Sequence, residues 1–535
     1  MKTSRRTLLQ GAGSAGFVAM APSLGWAQGA APARANVLRC VMHADLASLD
    51  PVATTASITA YHGALVYDTL FGQDANFAPQ RQMVGEHTVS PDGLTYNFTL
   101  RSGLKFHDGQ DVTGRDCAAS VRRWGARDGA GQHLFRNVAA VEATGANSFS
   151  IRLNAPYPLL IDWLGKSSPS LCFIMREADA NTDPSRPITE AIGSGPYTYN
   201  RAESRQGSQY VYDRNPNYVP RSEPVSAMAG AKQARMQRIV FQTIADEQTA
   251  VSALMAGEID FIERLSPEMA PQVAGNARIR TEVLNNTGSI GWLRMNHLQA
   301  PFNNVRARQA MLALIDQNAV MQATFGDPKA YKPCGSLFGC GTTMENDANT
   351  GWFKAGQNIA RARQLFQEAG YAGQPVVIMQ QTTSPVMSNS ALLIAQWLRQ
   401  AGVTVELVPL DWAGIVARRA RRGPVSDGGW SIFLTWASGS AYNNPITLAG
   451  HAATGERGWF GWPEDARHEQ LRDAWANAPD MPARQRIARD MQENAWNFVP
   501  HVYLGQWFDS AAMRSDVRGM IGLPDLVPFW NVARG

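Results

Sequence analysis

The sequence has no Cys-x-x-Cys pair and no His-Glu-x-x-His, so the ligand spacings of a dedicated zinc site are missing, and we expect no metal and no cofactor. It also lacks a Gly-x-Ser-x-Gly elbow. Gly165-Lys166-Ser167 has only the ending of a phosphate-binding loop, because Leu160 stands where that loop needs glycine. No catalytic residue is assigned on these grounds. No run after the amino-terminal segment reaches the apolar length of a membrane span. Charge of one sign is scarce too: 49 Lys and Arg face 45 Asp and Glu, a balance that gives no long-range pull on nucleic acid. The one dense basic cluster, Arg418, Arg419, Arg421 and Arg422, has no aromatic residues interleaved with it and reads as a solvated helix end.

What is present begins with an address. Met1 to Ala27 carries Lys2, the pair Arg5-Arg6, a weak apolar stretch from Gly11 to Leu24, and small residues before a cut after Ala27. This segment resembles a twin-arginine export signal and predicts a periplasmic location. Gly11-Ala12-Gly13-Ser14-Ala15-Gly16 inside it satisfies GxGxxG but follows no strand, so it is not a dinucleotide loop. The segment holds three cations and no acid, and its removal lowers the formal charge from +4 to +1. The remaining chain of about 500 residues exceeds what one core usually serves, so two or three domains are expected. Five cysteines in an oxidising compartment leave at least one unpaired or paired elsewhere. Cys334 and Cys340 flank a glycine-punctuated loop and are expected to pair, whereas Cys40 and Cys172 sit among apolar neighbours as space-fillers.

A unit of helix, glycine and strand recurs. A helix from Asp246 stops at Gly257 before Ile259 and Phe261; another, Ala360 to Ala369, stops at Gly370 before Val376 to Met379. A third carries Ala391, Ile394, Ala395 and Leu398 on one face and gives way at Gly402 to Val403, Val405 and Leu407. Such alternation predicts α/β lobes. Leu94 to Leu100 and Phe149 to Leu153 alternate instead like antiparallel strands and mark a more β-rich insertion. Ala307, Ala310, Met311, Leu314 and Ile315 fall at helical spacing behind an Asn304 cap, a core face. Asp108-Gly109 suits a tight turn, and Gly193-Ser194-Gly195-Pro196 a crossing between lobes that needs positive φ and a kink.

The block from Ser90-Pro91-Asp92-Gly93 through Phe106-His107-Asp108-Gly109 resembles the signature of the extracellular solute-binding proteins of family 5. Leu49-Asp50-Pro51, Tyr67-Asp68-Thr69-Leu70, Gly193 to Tyr197, Gly257-Glu258-Ile259-Asp260 and Pro301 to Ala310 complete the same order. The resemblance implies a bilobal α/β periplasmic-binding-protein fold of type II, cluster C, with an inserted domain. Lobe I would comprise 36–70, 192–284 and 505–535, the inserted domain 71–191, and lobe II 285–504. It further implies a monomer that captures a small-molecule ligand between its lobes for the inner-membrane permease of an ABC importer. Neither nucleic acid nor catalysis is part of that expectation. The alternatives are a generic dipeptide or oligopeptide binder of the same family, a periplasmic hydrolase, or a chaperone or sensor partner.

In the family, a segment reading Trp, small, acidic, Tyr and nearby Pro grips the ligand's amine. Here Trp436-Ala437-Ser438-Gly439-Ser440-Ala441-Tyr442-Asn443-Asn444-Pro445 carries no carboxylate. Peptide binders also place an arginine in lobe II, yet Gln364 to Leu398 contains none. Trp430, Trp436 and Tyr442 are expected as flat walls, with Ser438, Asn443 and Gln381 as neutral hydrogen-bonding groups. The expected ligand is therefore an uncharged or weakly charged solute, since enclosed zwitterionic ends need counter-charges.

Overall fold

The computed structural model describes residues 36–535 apart from 168, 169, 185 and 383, and the side chain of 413. The export signal expected over residues 1–27 lies outside the described residues. No helix among the described residues is long and apolar enough to cross a membrane.

The α/β bilobal reading holds. A seven-stranded sheet forms lobe I, in the order Tyr197–Arg205, Gln209–Arg214, Arg238–Gln242, Val37–Val41, Phe261–Leu265, Ser510–Arg514 and Ile279–Val283. The three central strands, from Arg238–Gln242 to Phe261–Leu265, run parallel, as helix crossovers require. The crossover helix Glu247–Ala256 is started by Asp246, whose carboxylate accepts the Thr249 amide, and is ended by Gly257 at φ +77°. Lobe II is a six-stranded sheet: Tyr331–Lys332, Val502–Trp507, Ser289–Met295, Ile432–Ser438, Val376–Gln381 and Val405–Leu410. Its helices Ile359–Glu368 and Pro385–Gln400 stop before Gly370 and Gly402, both at positive φ. Gly505 to Trp507 still pair in this second sheet, so the chain returns to lobe I about three residues later than the sequence suggests.

Between the first pieces of lobe I, Val84–Val89, Thr95–Leu100, Ser148–Leu153 and Val138–Gly145 form an antiparallel sheet. The helix Gly114–Arg127 packs on it, started by the reciprocal Thr113 and Asp116 capping box. Two of the sequence blocks fasten the chain here. Asp50 bonds Arg123 of the inserted helix at 2.7 Å with both side chains fully buried, and Asp68 holds Lys232 at 2.8 Å. The first pair ties the inserted domain to lobe I and the second joins two pieces of lobe I itself; breaking such a buried pair costs about 3 to 5 kcal/mol.

Three sequence expectations need correction in their physical reasons. Gly193 and Gly195 are not at positive φ; a Cβ at Gly193 would sit 2.0 Å from the Val66 carbonyl oxygen and one at Gly195 2.6 Å from that of Leu65. Close backbone approach is what selects glycine there. The arginine cluster is not simply solvated: Arg419 lies 4.5 Å from the Phe460 ring and 5.2 Å from that of Trp412, and Arg422 5.4 Å from Trp462. Trp412 begins the same helix, while Phe460 and Trp462 arrive from a distant segment. Trp430 is fully buried, donates its indole N–H to the Arg419 carbonyl and packs on Phe433 and Trp462, so it is core and not a ligand wall.

In the structure Cys334 and Cys340 form a disulfide with Cα atoms 5.8 Å apart, and Cys40, Cys117 and Cys172 are buried thiols. Alkylation of the native protein without reduction should leave the mass unlabelled at Cys334 and Cys340; two labelled thiols there would refute the bond. Because the closed loop is short, replacing both by serine should cost at most about 2 to 3 kcal/mol.

Candidate functional site

Phe261–Leu265 and Val37–Val41 are parallel neighbours, and their carboxyl ends meet the gap between the lobes, the usual place for a site in such sheets. Glu263 and Arg264 sit at this end in an otherwise apolar strand. The Glu263 carboxylate accepts the His43 amide at 2.9 Å, His43 Nδ1–H at 2.7 Å and the Tyr61 hydroxyl at 2.8 Å. Burial pushes the Glu263 carboxyl up, but the His43 bonds and the charge of Arg264 outweigh it and hold the group below the usual range. Burial and the same carboxylate raise Tyr61 well above an ordinary phenol, so it is a held donor and not an activated nucleophile. Burial alone would lower Arg264; Glu263 and Asp509 reverse that and keep it charged. Asp509 is pushed up by burial against the pull of Arg264.

Lobe II closes over this group with Trp436, which is 41% exposed at the end of Ile432–Ser438. The Arg264 guanidinium lies 5.9 Å from its ring, and Trp507 meets it edge-on at 6.0 Å. A second bridge runs through Ser440, whose hydroxyl donates to Asp525 at 3.0 Å and whose amide donates to Thr287. Ser438 shares a hydrogen bond with Ser440 at 3.0 Å and accepts from Asn285 at 3.4 Å. Asn285 and Thr287 belong to one of the two segments that cross between the sheets; the other follows Trp507. They touch at Gly288, where φ is +56° and a Cβ would lie 2.3 Å from the Trp507 carbonyl oxygen. The turn 438–442 is thus packed on the crossing, so lobe position and cleft geometry are coupled.

The cleft lined by Tyr61, Glu263, Arg264, Trp436, Asp509 and Asp525 encloses about 50 Å³. Ligand pockets ordinarily span about 300 Å³ or more, so a solute enters only if the lobes part. A larger space of about 230 Å³ lies beside it, between the inserted domain and lobe II.

The residues expected to form the site separate. Trp436 lines the cleft, with Ser438 on the hydrogen-bond chain beside it. Tyr442 is fully buried, donates to the Ile290 carbonyl at 2.9 Å and packs on Trp292 and Tyr503, so it is core. Asn443 accepts the Met344 amide at 2.9 Å and faces the larger space instead. Gln381 ends its strand opposite Leu410, is buried and lines neither space. Sequence reasoning looked for charge in lobe II and missed Glu263, Arg264, Asp509 and Asp525. The signal for the first two was a charged pair within Phe261-Ile262-Glu263-Arg264-Leu265; Asp509 and Asp525 had none, because only the fold brings them here. Among the described residues no group of three or more His, Cys, Asp or Glu could hold a metal.

The model for bacterial extracellular solute-binding proteins, family 5 Middle, matches residues 78–458. A "probable peptide ABC transporter periplasmic-binding protein" of Sinorhizobium fredii is 42% identical over the whole length of both chains. A glutathione-binding protein of Pectobacterium atrosepticum is 24% identical over 89% of this chain and 90% of its own. Among solved structures, a periplasmic binding protein of A. tumefaciens R10 in complex with agropinic acid superposes with a TM-score of 0.74 at 21% identity, covering 93% of this chain and 99% of its own.

Proposed function

We propose, from the premise that this chain belongs to the bacterial extracellular solute-binding proteins of family 5, that it captures a solute bearing an amine together with an acidic group. It is the solute-binding component of an ABC importer. The observation that carries the ligand class is the charge set that lobe I brings to the cleft. Asp509 and Asp525 suit an amine and Arg264 an acidic oxygen, while Trp436 offers a flat face. The neutral ligand expected from lobe II alone therefore gives way to a charged one. Peptides regain support from these charges and from the name of the Sinorhizobium relative.

Calorimetric titration is expected to find micromolar binding among dipeptides, opines and other zwitterions. Micromolar binding of neutral sugars with none of zwitterions would overturn the reading. Mass spectrometry of whatever copurifies from the native periplasm should identify a solute with a basic nitrogen. Solution scattering should show a smaller radius of gyration for the saturated protein than for the solute-free one, because a cleft of about 50 Å³ must open before it can fill.

Export by the twin-arginine route, cleavage after Ala27 and monomeric delivery to an inner-membrane permease belong to the same proposal. Replacing Arg5 and Arg6 together with lysine should leave precursor in the cytoplasm, and an unchanged periplasmic yield would refute the route.

A further inference from the structure

We infer that the chamber between the inserted domain and lobe II is a second compartment of the same solute site, one that takes an uncharged aromatic or branched-alkyl arm. The inference rests on the cleft being where the charged head of the solute is held.

Apolar side chains face the chamber from both sides, among polar ones. Phe77, Leu159 and Trp163 face it from the inserted domain, and Leu448, Trp475 and Met481 from lobe II. Its charged side chains are paired: Asp162 with Arg484 at 3.3 Å and Lys166 with Asp128 at 2.9 Å. Its amides are also engaged, Gln73 by the Ser167 hydroxyl at 3.0 Å and Asn443 by the Met344 amide at 2.9 Å. A charged group entering would be desolvated without a counter-ion, whereas an apolar arm gains by leaving water. About 230 Å³ is the room for one arm and not for a whole drug-sized molecule.

Two features join the chamber to the cleft. Ser440 lines the chamber while its hydroxyl donates to Asp525 in the cleft. The buried Asp50–Arg123 pair ties the inserted domain to lobe I, while Arg484 across the chamber belongs to lobe II. Parting the lobes therefore opens both spaces together, and a solute laid in the open cleft carries its arm into the chamber as it closes.

Benzyl alcohol is a probe that needs no knowledge of the natural solute. With methionine methyls labelled by carbon-13, titration should shift Met344 and Met481, which line the chamber, with a dissociation constant of about millimolar order as expected for so few atoms. Met387, whose methyl lies beside Gly291 in lobe II, should stay unmoved. Ala441→Leu and Leu448→Trp, both on half-buried wall positions, should each weaken the probe at least tenfold, and Trp436→Ala should leave it unchanged. Shifts that do not saturate, or that survive both filling variants, overturn the chamber. Protein loaded with the solute captured in its own periplasm should show no probe shifts at Met344 and Met481; their persistence would overturn the single-solute arrangement. Failure of the cleft reading shows separately, as a solute that stays bound in Trp436→Ala.

Discussion

Unfolding of lobe II in urea is expected to lose about 4 kcal/mol or more of stability between pH 7.5 and pH 5. Lobe II buries three histidines, His451, His468 and His501, and half-buries a fourth, His297. Burial lowers His451 to about 3, helped by the charges of His468, Arg472 and Arg294. Burial and then Arg472 lower His468 to about 4. His297 and His501 are held well below the ordinary value by burial, with Arg308 and Arg294 as the leading charges. Arg294 itself is buried and donates to the carbonyls of Phe460, Gly450 and Pro500, so its charge remains to repel any proton added nearby.

For a base whose folded pKa is depressed, stability is complete above the unfolded value of 6.5 and is lost as the pH falls below it, because only the unfolded chain takes the proton. At pH 5 the difference is about 1.5 units, or about 2 kcal/mol for each of His451 and His468, with His297 and His501 adding in the same direction. Denaturant midpoints followed by tryptophan fluorescence check this. A lobe II transition as stable at pH 5 as at pH 7.5 would refute it, and His468→Gln should flatten the slope by about 1.4 kcal/mol per pH unit.

Trp436→Ala is expected to weaken solute binding about thirtyfold or more, a loss of about 2 kcal/mol or greater, while the unfolding transition stays in place. The ring is 41% exposed, so its truncation removes little buried area from the folded state. It does remove the flat surface facing the cleft and the partner of Arg264. Trp430→Ala makes the contrast, because that ring is fully buried against Phe433 and Trp462 and its loss should cost about 3 to 5 kcal/mol of stability. Calorimetry and thermal unfolding of the two variants separate the roles. Unaltered affinity in Trp436→Ala would remove Trp436 from the site.

Periodicity alone revealed the helix, glycine and strand units, since each is closed within some twenty residues. Asp246, Gly257, Gly370 and Gly402 are boundaries that local backbone chemistry imposes wherever the chain goes. The pairing of Cys334 with Cys340 lies six residues apart and needed only a short turn to be foreseen. Side-chain destinations were less legible. Trp430, Trp436 and Tyr442 lie within thirteen residues and look alike in sequence, yet one face of the strand and the turn after it send two into the core and one to the cleft.

The α/β class, the family, the inserted β-rich unit and the absence of a charged grip at two positions of lobe II were all legible in the amino-acid order. Those follow from short-range patterns and from motif order, which survive without three-dimensional contact. Where the charge in the cleft comes from is a matter of the folded chain. Asp509 and Asp525 reach it from the carboxyl-terminal return of the chain, and Glu263 and Arg264 from more than two hundred residues earlier. No local pattern encodes that meeting, because it is set by which strands of lobe I neighbour one another and by how closely lobe II is brought down on their carboxyl ends.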